Sequence, residues 1–115
     1  MAATRLTLPI PPSVNQMYSN VLGRGRIATT ALRNWKEAAG LRLKEQRPQP
    51  VIGPYKFALY LPNKMRGDID GRLKAAIDLL VTHGVTPDDR FAKSVLAERC
   101  EEVEAGQCVI VVDAI

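Results

Sequence analysis

Tyr55-Lys56-Phe57-Ala58-Leu59-Tyr60-Leu61 alternates Tyr55, Phe57, Leu59 and Leu61 with Lys56, Ala58 and Tyr60. Further on, Asp70-Gly71-Arg72-Leu73-Lys74-Ala75-Ala76-Ile77-Asp78-Leu79-Leu80-Val81 places Leu73, Ala76, Ile77, Leu80 and Val81 at i, i+3, i+4, i+7 and i+8. A change of apolar period from two to about 3.6 predicts a strand and then a helix packed on a sheet. The strand runs out at Pro62 with a resumption near Met65, the helix spans 70–82, and Gly84 is its stop signal.

Upstream, Arg5-Leu6-Thr7-Leu8-Pro9-Ile10 alternates in the same way and reads as a short strand whose proline places it at an edge or a strand end. Residues 11–18 read as a loop. The Gly- and Arg-rich run from Ser19 to Thr29 reads as a mobile basic loop, not an element. Thr29 or Thr30 is a suitable N-cap for a helix to Gln46, with Leu32, Trp35, Ala39 and Leu43 as its apolar stripe; Arg33, Lys36, Arg42 and Lys44 face out, and Pro48 and Pro50 follow.

Downstream, strands are expected over Ser94–Val103 and Gln107–Ala114, joined by a turn at Ala105-Gly106. The unbroken Val109-Ile110-Val111-Val112 predicts that the last strand is central and covered on both faces. Strand, helix, strand, helix, strand, strand gives an α/β fold, one domain over residues 1–115, with a mixed β-sheet and two main helices packed on it.

With 115 residues and 46% apolar content, the chain suffices for one modest core. The formal charge of +4 is unevenly spread. Residues 1–66 carry eleven Lys and Arg against Glu37 and Glu45, leaving +9, while the remainder holds five basic against ten acidic residues, leaving −5. A basic arm favours a polyanion such as nucleic acid. No run of about 18 apolar residues exists to span a membrane, and Met1–Ile10 lacks the charged and apolar regions of a secretory signal, so a cytoplasmic setting is expected. Cys100 and Cys108 have no metal-ligand spacing with the lone His83 and are read as reduced, partly buried thiols; a hairpin that set the two opposite each other would also permit a disulfide.

Five of the six aspartates, Asp68, Asp70, Asp78, Asp88 and Asp89, flank or lie on the helix that carries Lys74. On extended backbone Asp68 and Asp70 share a face, where their repulsion calls for a cation, and Asp70 then caps the helix; the plain alternative is a loop residue and an N-cap. Residues 70, 74 and 78 line one side of the helix, either as surface ion pairs or with Lys74 facing a phosphate and Asp78 holding it. Asp88-Asp89 after Pro87 is turn chemistry, or a third carboxylate returned to the same spot.

Arg66-Gly67-Asp68-Ile69-Asp70-Gly71-Arg72-Leu73-Lys74-Ala75-Ala76-Ile77-Asp78, with Gly84-Val85 and Pro87-Asp88-Asp89, resembles the D-x-D-N-x-x-K-x-x-x-D…G-V/I-x-x-D-D signature of the RusA family of Holliday junction resolvases. Pro11-Pro12-Ser13-Val14-Asn15-Gln16-Met17-Tyr18 is similar to that family's P-P-S-x-N-x-x-Y segment. The resemblance covers nearly the whole chain. It implies a homodimeric, Mg2+-dependent, structure-selective endodeoxyribonuclease that cuts two opposed strands of a four-way DNA junction. Asp68, Asp70 and Asp89 would be metal-binding and, with Lys74, catalytic. Gly71 departs from the Asn usual there, which removes a possible hydrogen bond behind the metal ligands. Asn15, Tyr18, Arg24, Arg26, Arg33 and Lys36 are the candidate DNA contacts; the arginines read equally as a solubilising surface, and Asn15 and Tyr18 as loop stabilisers. The competing reading is a non-catalytic branched-DNA-binding module whose acids serve only as caps and ion pairs.

Overall fold

The computed structural model describes residues 3–115. Met1 and Ala2, the start of the segment read for a secretory signal, lie outside the described residues. The main strands are β1 (Thr4–Pro9), β4 (Tyr55–Pro62), β5 (Ala92–Cys100) and β6 (Gln107–Ala114); β2 (Tyr18–Val21) and β3 (Gly25–Ala28) form a separate pair, and the helices are α1 (Thr30–Gln46) and α2 (Leu73–Thr82). The four-stranded sheet has the order β1-β6-β4-β5. β6 runs antiparallel to both β1 and β4, while β4 and β5, linked through α2, are parallel. This is the expected α/β fold with a mixed sheet and two helices.

One face of the sheet carries the core. Cross-strand register aligns Leu6 with Ile110, Ile110 with Leu59, and Leu59 with Ala97. Period-two alternation puts Leu6 and Leu8, Cys108, Ile110 and Val112, and Tyr55, Phe57, Leu59 and Leu61 into the same buried cluster. Both helices pack there, α1 through Leu32, Trp35, Ala39 and Leu43, and α2 through Ala75, Ala76, Leu79 and Leu80. Full burial of each Leu or Phe contributes about 1.5–3 kcal/mol. Trp35 is core, its indole N–H donating to the Pro9 carbonyl at 2.9 Å. Helix α1 begins as its sequence demands: Thr29 Oγ1 accepts from Leu32 N at 3.1 Å.

Several expectations are corrected. The run from Ser19 to Thr29 is largely ordered as the β2–β3 hairpin, because Gly23 (φ 80°) and Gly25 (φ 70°) supply the left-handed backbone that a short loop needs. Strand β6 is central but helices cover only one of its faces; Val109 and Val111 point to the other. β5 and β6 are not a hairpin, since β4 lies between them. That removes the geometry for a disulfide, and both cysteines are free. β4 does not resume at Met65, which lies outside any strand. β5 starts at Ala92, earlier than expected, and ends at Cys100. The buried stripe of α2 is rotated by about one residue, with Ala75 and Leu79 in place of fully buried Ile77 and Val81. No helix among the described residues is long and apolar enough to cross a membrane.

Candidate functional site

Beyond β4 the chain turns at Asn63 and Lys64, passes Gly67 in the left-handed region (φ 92°), and enters a 3-10 turn, Asp70–Arg72, that leads directly into α2. Ile69, between the two aspartates, is helical (φ −75°, ψ −36°). The extended backbone that would put Asp68 and Asp70 on one face is therefore absent. Asp70 is not the N-cap either: Ile69 holds that position, and no side chain caps the turn. The early curl leaves both carboxylates exposed at the head of the helix.

Two arginines that the sequence reading passed over fix this stretch. Arg72 donates through Nη1 to the Pro11 carbonyl at 2.9 Å and through Nη2 to the Arg66 carbonyl at 3.3 Å. Arg99 donates to the carbonyls of Met65 at 2.5 Å and Gly67 at 2.8 Å. Guanidinium groups suit this task because several N–H vectors leave one rigid plane. The available signal was Arg99 itself, a charge on β5 in register with the fully buried Leu61 of β4.

Lys74 Nζ lies 3.1 Å from Asp78 Oδ1, one turn along α2. The hydrogen bond from Lys74 to Asp78, followed by Asp78's charge, raises the ammonium above its ordinary pKa of 10.5; burial opposes the rise, and the charges of Asp89 and Tyr18 add lesser contributions to it. The 3-10 turn Asp89–Phe91 packs near α2, and the charge of Asp89 acts on Lys74, but the expected meeting of Asp89 with Asp68 and Asp70 at one spot is not formed among the described residues. Asp88 accepts from Arg90 N at 3.1 Å. That bond, then Asp89, lowers the Asp88 pKa below 3.8. Beneath this turn, burial raises the Tyr55 hydroxyl above 10.0, and Asp89 and Asp88 add to the shift. Tyr55 Oη and its neighbour Thr86 Oγ1 are buried without a well-formed hydrogen bond.

Among the described residues no three His, Cys, Asp or Glu side chains form a group that could hold a metal ion. The hard carboxylate oxygens of Asp68, Asp70 and Asp89 are the donor type that Mg2+ takes, and Mg2+ is usually held by one or two carboxylates with water and substrate phosphate completing its shell. The donor chemistry fits; a preassembled three-carboxylate cage is not part of this structure.

The basic candidates divide. Arg26 stacks over Tyr18, its guanidinium carbon 4.3 Å from the ring centre. The register explains this, since Tyr18 pairs with Ala28 and Asn20 with Arg26, making Tyr18 and Arg26 diagonal neighbours on one face. Arg24 is exposed in the hairpin turn, and Lys36 is exposed on α1. Arg33 is spent internally, donating to the Ala28 carbonyl at 2.6 Å and to Thr30 Oγ1 at 3.1 Å. Asn15 lies exposed in the 3-10 turn Val14–Gln16, which packs near Asp70–Arg72. Between these two turns is a cleft of about 380 Å³. Gly71 borders it, and a Cβ there would stand 3.9 Å from Ser13 Cβ and Val14 N, ordinary contact distances. No protein-family model matches the chain, and no curated protein matches it.

Proposed function

We propose that the chain is a metal-dependent, structure-selective endodeoxyribonuclease that resolves four-way DNA junctions, as its resemblance to the RusA family implies. The observation that carries the reading is the setting of Lys74: an exposed ammonium held by Asp78 and within the field of Asp89 and of Tyr18, the first residue of the hairpin that presents Arg24 and Arg26. A fixed positive charge beside carboxylates and a basic arm is suited to offset charge developing on a phosphate. Arg24, Arg26 and Lys36 would contact backbone phosphates, which recognises shape and not sequence. Asp68, Asp70 and Asp89 would supply ligands to Mg2+, which when bound activates water and polarises the phosphodiester. Paired cuts related by a two-fold axis require two sites, so a homodimer belongs to the proposal, as does a cytoplasmic setting for the two free cysteines.

A second reading, a non-catalytic branched-DNA-binding module, is favoured by the lack of a three-ligand group among the described residues. Incubation of end-labelled four-way junction with the protein, with and without Mg2+, separates the two. Paired nicks that appear only with Mg2+ support the nuclease. Intact junction at saturating protein and Mg2+ overturns it and leaves the binding module.

A further inference from the structure

The cleft between Val14–Gln16 and the 66–72 stretch contains groups that the proposed reaction does not use. Arg72 Nε is buried and has no hydrogen-bond partner among the described residues, although both terminal nitrogens of the same guanidinium are satisfied. A buried donor left without an acceptor is unfavourable, so an ordered water, or a ligand acceptor admitted by a small shift of Arg72, is expected to satisfy it. Asn15 and Arg66 also line the cleft, are exposed, and make no side-chain hydrogen bond among the described residues. Val14, 47% exposed, adds an apolar surface. Gly71 borders the cleft, and a Cβ there would just touch Ser13 and Val14.

The lining narrows the ligand. A phosphate offers only acceptors and would meet the Asp68 carboxylate, which borders the same cleft. At about 380 Å³ the space is also that of a small organic ligand, far more than one phosphate fills. A group that presents both donors and acceptors on the edge of a flat, partly apolar body fits this lining: Arg66 donates, the Asn15 amide donates and accepts, and Val14 packs on a face. We propose that this cleft receives an unpaired nucleobase of the bound DNA, with Asn15 reading the base edge. Asn pairs best with the adjacent amino group and ring nitrogen of adenine. The inference rests on the nuclease reading for its ligand, DNA, but not for its test.

The test uses a four-way junction with an adenine beside the branch point and aminopurine, a fluorescent base quenched by stacking, as its stacked neighbour, together with a second dye at an arm end to report binding by anisotropy. Divalent cation is omitted. Wild-type protein is expected to bind and to raise the aminopurine fluorescence severalfold as the adenine leaves the stack. Gly71→Leu, which fills the cleft, is expected to abolish the rise while arm-end anisotropy still reports binding. Asn15→Ala weakens retention of the base by about tenfold, the scale of one lost bidentate base contact. It does so without altering the fold, as circular dichroism checks, and so keeps the test decisive if Gly71→Leu does not fold. Binding without a fluorescence rise, or a rise unchanged in both variants, overturns the base site and leaves the nuclease reading standing. Absence of binding overturns both.

Discussion

Lys74 Nζ stands 3.1 Å from Asp78 Oδ1 on the exposed side of α2, while Asp89 adds its field from the turn before β5. The pair is solvent-exposed and contributes about 0.5 kcal/mol or less to stability, so the proposed reaction would use it electrostatically more than structurally. Lys74→Ala is expected to leave the fold intact and to reduce Mg2+-dependent junction cleavage by about 100-fold, the usual scale for a lost transition-state charge partner. Asp78→Asn removes the main cause of the raised Lys74 pKa. A raised lysine contributes fully below its unfolded value of 10.5 and loses that contribution as pH rises through the folded value. The alkaline limb of the cleavage profile should therefore move to lower pH in Asp78→Asn. An unmoved limb shows that Asp78 does not set the charge state of Lys74.

Tyr18 and Arg26 hold each other across the hairpin. A guanidinium over an exposed tyrosine ring is worth about 0.5–1 kcal/mol and orders a long flexible side chain. Under the proposed function, Arg26→Ala is expected to weaken junction binding and to reduce the salt dependence of the affinity by about one unit of slope, as loss of one phosphate contact requires. Tyr18→Leu keeps the charge and should leave that slope unchanged while lowering affinity modestly. Titrations over a range of salt concentrations distinguish the two effects; equal slopes for wild type and Arg26→Ala place Arg26 away from the DNA.

The contrast between α1 and the hairpin shows what the sequence made legible. Leu32, Trp35, Ala39 and Leu43 recur at helical spacing after a threonine cap, and every one is buried, because periodicity and capping are local properties. The hairpin was hidden because its strand residues, Tyr18-Ser19-Asn20-Val21 and Gly25-Arg26-Ile27-Ala28, do not bury a common apolar face; positive φ at Gly23 and Gly25 makes the turn. At the site, spacing correctly brought Lys74 next to Asp78. It failed at Asp68 and Asp70 because the helical conformation of Ile69 cancels the alternation on which the shared face depended. Arg72 and Arg99 escaped notice because their partners are backbone carbonyls, which no sequence pattern identifies.

Asp70 is exposed at the head of the turn and makes no side-chain hydrogen bond or ion pair among the described residues. Its charge repels a nearby phosphate unless a cation intervenes. Asp70→Asn is thus expected to abolish cleavage while junction binding without Mg2+ is retained or tightened, and the fold should be unaffected. Cleavage at the wild-type rate removes Asp70 from the metal ligands, and weaker cation-free binding removes the repulsion argument.

Cys108 lies in the core, its Sγ 3.6 Å from the Pro9 carbonyl, and burial pushes its thiol up to about 12. Cys100, partly exposed near the end of β5 on the face without helices, has no such protection. An aromatic disulfide reagent at pH 8 should modify one thiol per chain quickly and the second only on unfolding. Cys100→Ser should remove the fast phase. Two fast phases would mean that β1 and β6 open readily around Cys108.

A Cβ at Gly40 of α1 would lie 3.1 Å from Nε2 and 3.4 Å from Cε1 of His83, at the end of α2. Alanine in a helix interior is favoured over glycine by about 1 kcal/mol, so two effects compete at this position. With His83 present, the imidazole must yield by a few tenths of an ångström before that gain is realised. Gly40→Ala is therefore expected to stabilise the chain by about 1 kcal/mol in a His83→Ala background and by clearly less with His83 in place. Urea midpoints of the four chains in this cycle measure the difference. Equal gains in both backgrounds would show that the imidazole swings aside at no cost and that Gly40 is not needed for helix packing.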